Sequence, residues 1–315
     1  MISYILRRLC LFVGTMFALT IVLYWIHIRL TPSVDFKVIQ DYVNYTHDLL
    51  TFNFGVSLDS GLKITDEMKE FFPASIELLV SSFLLAFIIG MPLGSLLAYA
   101  HRSWFDRLMQ ILSQVLSSIP VYWLAQLLII LFCISLKLFP TYGNISLLYD
   151  IEPVTGFSII DSILTKDPEI ISNTLKHFFL PVLSLSLMPL IEIMMLSRTA
   201  TLQVYRANFI KASISRGLGY FAIFRHNVLR NIIPGIVPQL NIILCNLISA
   251  LILVEVIFEW PGMGVRITSC VTTSDYPMLE AITFVLATVL LIINILSDVL
   301  ITVIFPLKKR LKIKV

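Results

Sequence analysis

The chain has 315 residues, 57% of them hydrophobic and only 14% charged, with a formal net charge of +3 at pH 7. A soluble domain carries roughly 25% charged residues, and with a mean hydropathy of +0.89 one buried core cannot absorb the excess. A soluble globular domain is excluded, a polytopic membrane protein is expected, and so small a net charge names no partner, nucleic acid included.

In chain order, six continuous apolar blocks run over about 9–28, 76–100, 108–136, 178–197, 235–257 and 281–305. Each is close to the ~20 residues a helix needs to cross ~30 Å of hydrocarbon, and none alternates as a barrel strand would. Arg7 and Arg8 precede the first block, as in a signal peptide. Its apolar run is too long for one and lacks a small-x-small cleavage site, so it reads as a retained helix. Segment 30–75 follows, where DYVNYTHDLLTFNFGVS predicts a short helix ending near Gly55. The second block contains GMPLG at 90–94, the third Pro120, and the fourth Pro181 and Pro189. These are kink signals that suit either packing or a conduit that changes shape. Segment 138–177 is mixed and turn-rich, neither it nor 30–75 has the pattern of an enzyme domain, and 258–280 is a third outer segment.

Lysine and arginine placement gives the orientation. Arg102, Arg107, Arg198, Arg206, Lys211, Arg216, Arg225 and Arg230 lie on the side of the N-terminus, as does a tail with Lys308, Lys309, Arg310, Lys312 and Lys314. Asp106 is the one clear acid among them, whereas Asp59, Glu67, Asp161, Asp275 and most other acids fall on the opposite side. The expected fold is therefore all-α: a single membrane domain of six helices with both termini cytoplasmic.

Chemistry-bearing motifs are missing from the sequence. It has no P-loop GxxxxGKS/T and no HExxH, and its five histidines are scattered. Cys10, Cys133, Cys245 and Cys270 form no CxxC pair and read as packing residues. No catalytic, cofactor or metal site is expected, and the chain is not read as an enzyme. Intramembrane polar groups remain to be placed. Glu192, Glu255 and Asp298 either pair internally or line a polar path that would favour cationic cargo. Asn241 and Asn246 either bond across helices or line the same path.

The loop 198–234 stands apart. KASISRGLGYFAIFRHNVLRNIIP at 211–234 is basic and has no acid. TLQVYRANFI looks helical, Gly217 supplies a turn, and YFAIFRHNVLRNII looks helical again, stopped by Pro234. Phe221, Val228 and Ile232 share one face, with His226 and Arg230 away from it. An interfacial helix held by anionic lipid accounts for the charges, but less well for the glycine turn.

These residues resemble the EAA-type loop of ABC importer permeases of the dipeptide, oligopeptide and nickel group. The matching positions are Phe209, Lys211, Ala212, Arg216, Gly217, Leu218, Arg225, His226, Leu229, Arg230, Asn231 and Pro234, with Asn208 where relatives often carry an acid. FGVS at 54–57, FPASIELL at 72–79, SIPVYWLAQLLI at 118–129 and EVIFEWPGMG at 255–264 resemble other family signatures in the same order. The wording of 149–163 is similar to the branch associated with antimicrobial-peptide transport and, in some relatives, putrescine export.

The resemblance implies a type I importer-like permease in the bacterial inner membrane. Its coupling loop would dock on two separate cytoplasmic ATPases that bind the ATP. A second permease subunit, an outer solute-binding protein and membrane lipid complete the expected partners. A self-contained secondary transporter or channel is the rival class, and it would need an inverted repeat that is not evident.

Overall fold

A computed structural model describes residues 2–30, 38–149, 151, 153–219, 223–224 and 228–304. Arg225, His226, Phe221 and the basic tail from Lys308 lie outside them. All regular elements among the described residues are helical: α1 (Ile2–Leu30), α2 (Val38–Leu50), α3 (Ile64–Tyr99), α4 (Trp104–Ser117), α5 (Val121–Leu128), α6 (Ser158–Leu164), α7 (Pro168–Tyr205), α8 (Asn208–Ser215), α9 (Leu229–Phe258), α10 (Met263–Thr273) and α11 (Tyr276–Ile304). A π-helical stretch, Ile129–Ser135, continues α5.

Among the described residues, five helices are long and apolar enough to cross a membrane, and six spans result if α4 and α5 with its π-helical extension count as one. That third span is not the single helix expected over 108–136. The two pieces meet at 101°. Ser117 and Ser118 donate their hydroxyls back to Ser113 and Gln114 carbonyls. Pro120 then takes extended backbone (φ −60°, ψ 143°). Proline has no N–H to continue the ladder and disfavours helix at the residue before it, so the chain must turn there. Pro181 and Pro189 by contrast stay inside the continuous helix α7. Pro234 does not stop a helix either. It lies inside α9, whose first residue is Leu229.

The described chain divides into two compact units. The first comprises Met1–Glu77, Tyr142–Leu175 and Phe258–Leu296. Its core packs Ile64, Met68, Met263, Cys270, Met278 and Ile282 against Phe54, Phe71 and Phe72. The sequence EWPG forms a turn after Phe258. Glu259 takes positive φ, and Trp260 is fully buried with its indole N–H donating to the Ala74 carbonyl at 3.1 Å. Glu77 caps α6, accepting from the Ser158 and Ile159 N–H groups at 2.8 and 2.9 Å. The four cysteines are free, and burial pushes the Cys270 thiol up to about 11.

A polar knot closes this unit. Arg266 on α10 reaches Asp59 at 3.0 Å, Glu67 at 2.8 Å and Asp275 at 3.8 Å, and lies over the Phe71 ring. Asp275 and Glu67 are buried, and Ser57 donates to Asp275. Removing the cation strands two buried carboxylates. Arg266→Met is therefore expected to destabilise by about 3–5 kcal/mol, read as a lower thermal midpoint of the detergent-purified protein, with Arg266→Lys intermediate.

The second unit comprises Leu78–Thr141, Lys176–Ile257 and Ser297–Val315. Here α3 and α7 approach backbone to backbone. A Cβ on Gly90 would sit 2.8 Å from the Leu190 carbonyl oxygen, and one on Gly94 only 2.1 Å from that of Met194. Ala86, Ile193 and Ile243 form the apolar core beside this contact.

Candidate functional site

The segment between α7 and α9 belongs wholly to the second unit. It is not one helix from Thr201 to Ile210. α7 ends at Tyr205, and the chain breaks at Arg206 and Ala207, whose N–H groups bond back to Leu202 and Val204. α8 then runs for eight residues. Its end is set by Gly217, which adopts φ +78°. The Leu218 N–H reaches back to the Ser213 carbonyl at 3.3 Å, the six-to-one bond of a left-handed helix cap. That conformation is open to glycine at little steric cost.

Apolar residues anchor the turn from inside. Ile210, Ile223, Val228, Ile232 and Ile236 are all at most 2% exposed and pack with Leu196, Ala200, Val204 and Leu240. Phe209, Lys211, Ala212, Arg216, Gly217, Leu218 and Arg230 all face outward. An aromatic ring, an aliphatic side chain and the cations Lys211 and Arg216 thus flank a tight glycine turn whose inner side is pinned, with Arg230 exposed on α9. Of the other expected loop residues, Arg225 and His226 lie outside the described residues, and the side chain of Pro234 is not described. Sequence reading put Val228 and Ile232 on a common face with Arg230 away from it, and the structure has the same arrangement. It did not single out Ile210 and Ile223, the anchors on either side of the turn. Ile210 follows exposed Phe209 directly, so hydrophobicity alone does not separate the two.

The polar candidates are less gathered. Glu192 is exposed on α7 between buried Ile191 and Ile193, Asn246 is exposed on α9, and Asn241 is half-buried there. Glu255 is fully buried.

The second unit also holds an ion pair that sequence reading did not form. Asp106, 1% exposed, receives Arg198 Nε at 2.6 Å and its terminal nitrogen at 2.8 Å. The signal for it was Asp106 itself, a lone acid among cations.

Residues 90–310 match the family described as binding-protein-dependent transport system inner membrane component. The chain belongs to that family. Among curated relatives, this permease is 35% identical to the peptide transport system permease protein SapB of Salmonella typhimurium, over 98% of both chains. The putrescine export system permease protein SapB of Escherichia coli K12 is also 35% identical, again over 98% of both. The di/tripeptide permease DppB of Pseudomonas aeruginosa is 30% identical over 95% of this chain and 96% of its own. A solved structure of the MetNI methionine ABC transporter, in inward-facing conformations, superposes with TM-score 0.55 at 16% identity. It covers 75% of this permease and 97% of that chain, and so shares its fold. The permease is an inner-membrane component of an ABC transport system, all-α and multi-spanning, and its relatives are membrane permease components.

Proposed function

We propose that this permease moves peptides, cationic antimicrobial peptides among them, as one half of a transmembrane pair driven by two separate cytoplasmic ATPases. The observation that carries this reading is the α8–Gly217 turn, exposed outside and pinned inside, which suits a knob seated in a groove of another subunit. ATP, held by those partners, would draw the turn and with it α7, and change the side to which the path between the two permeases opens. No residue of this chain would do covalent chemistry. The partners would be a SapC-like permease, SapD- and SapF-like ATPases, and a SapA-like periplasmic binding protein. The name of the Escherichia coli K12 relative, a putrescine export permease, favours a second reading, putrescine export through the same fold.

Reconstitution of the whole complex in proteoliposomes distinguishes these readings. ATP-dependent movement of a labelled cationic peptide is expected. Movement of labelled putrescine alone would select the polyamine reading, and movement of either solute by the permease without ATPases would defeat both. If Glu192 lines the path, Glu192→Gln lowers the rate for the cationic peptide about tenfold, the equivalent of ~1.4 kcal/mol, and spares a neutral one. Equal rates for both peptides would remove Glu192 from the path.

A further inference from the structure

We infer that Asp106 and Arg198 are positioning residues that bind the end of α3, the start of α4 and the second half of α7 into one bracket, so that displacement of the α8 turn reaches α3 without slippage. The inference rests on the ATP-driven reading above.

The ion pair has the geometry of a fixed joint. Both oxygens of Asp106 are engaged by the planar fork of Arg198, at 2.6 and 2.8 Å. A bidentate pair fixes rotation as well as distance, which a lysine point charge would not. Asp106 is itself held by its own turn, accepting the Arg102 N–H at 3.0 Å and donating its backbone N–H to Ser103 Oγ at 3.2 Å. Arg198 therefore grips the α3–α4 corner, not a mobile side chain.

The helix contact beside the joint leaves no room for sliding. A Cβ on Gly94 would lie 2.8 Å from Ser197 Cβ and 2.9 Å from the Arg198 nitrogen, besides its clash with Met194. Ser197 Oγ donates to the Met91 carbonyl at 2.8 Å, and Ser95 Oγ stands 3.1 Å from Ser197 Oγ and 3.4 Å from Thr201 Oγ1. Shifting α7 by one turn, ~5.4 Å, would break all of these bonds together. Only Arg206 and Ala207 separate α7 from α8, and Ile210 of α8 packs in one cluster with Leu196, Ala200 and Val204 of α7 and Met91 of α3. A pull on α8 has a packed route to α3.

The decisive experiment is a disulfide across the bracket. S95C/S197C is made in the full complex after replacing the four native cysteines, and transport is measured in proteoliposomes before and after oxidation. Helices that move as one body tolerate the bond, so the oxidised complex is expected within about twofold of the reduced one. A loss on oxidation of about tenfold or more, reversed by reductant, would show that α3 and α7 slide during the cycle and would overturn the bracket. D106N supplies the complementary readout. Solute moved per ATP hydrolysed is expected to fall about tenfold while hydrolysis persists, with R198K intermediate. An unchanged ratio, or parallel loss of hydrolysis and transport, would contradict a positioning role. Absence of ATP-dependent transport in the unmodified complex would instead defeat the reading beneath it.

Discussion

Gly217→Pro is expected to strip the ATPase subunits from the complex while the permease itself remains in the membrane. Proline fixes φ near −65°, whereas Gly217 stands at +78°, so the turn cannot keep its form. The Leu218-to-Ser213 bond that ends α8 is then lost, and Leu218 and Arg216 no longer flank the same knob. Nothing lies within 4 Å of a Cβ built at this position, so the effect would come from backbone geometry, not from crowding. A graded series follows. Gly217→Ala adds about 1–2 kcal/mol of left-handed strain and weakens ATPase recovery partially. Gly217→Asn, better tolerated in that region, stays close to the parent. Gly217→Pro lowers recovery about tenfold or more, ~1.4 kcal/mol or above. Pull-down of ATPase from solubilised membranes, normalised to permease, measures all three.

Gly94→Leu is expected to have the larger effect on the permease as a folded object. The approach of α3 to α7 uses the missing side chain itself, since even a methyl group would meet the Met194 carbonyl oxygen at 2.1 Å. That atom is backbone and cannot rotate away, so the helices must part, and Ser95, Ser197 and Thr201 lose their mutual bonds. A destabilisation of about 3 kcal/mol, the upper end of ordinary overpacking, is expected for alanine and more for leucine. Gly14 on α1 is the internal control. Nothing lies within 4 Å of a Cβ there, and alanine improves helix propensity by up to about 1 kcal/mol, so Gly14→Ala should be neutral or mildly stabilising. Thermal midpoints of the detergent-purified variants read the difference directly.

Much of this fold was legible because bilayer thickness imposes one rule on every span: about twenty apolar residues with the backbone satisfied within the helix. Five of the six blocks therefore became long helices. The third did not, because its oiliness reports depth and not direction. Pro120 marked the break, but the 101° bend also needed Ser117 and Ser118 to turn their hydroxyls onto the preceding helix. The loop around Gly217 was legible for another reason. Glycine after a short amphipathic stretch specifies a helix end through its own backbone freedom, whatever the surroundings.

What stayed hidden was long-range. Glu77 lay inside FPASIELL, and nothing local says that it caps a helix 81 residues later. Asp59, Glu67 and Asp275 were read only as acids on the outer side, and the Arg266 that gathers them is one cation in a turn-rich segment. Asp106 was conspicuous by sign, yet its partner Arg198 lies 92 positions away. Ion pairs of this kind are set by which helices become neighbours, and hydropathy does not carry that information.

Site-directed photo-crosslinking from the turn tests the central claim most directly. A photoreactive residue in place of Leu218, which is 46% exposed, in the assembled complex should form an adduct with an ATPase subunit. The same residue in place of Ile210, 1% exposed, should form none. Adducts from position 218 to lipid alone, or labelling of that position by an impermeant reagent added to the outer side of the membrane, would contradict it.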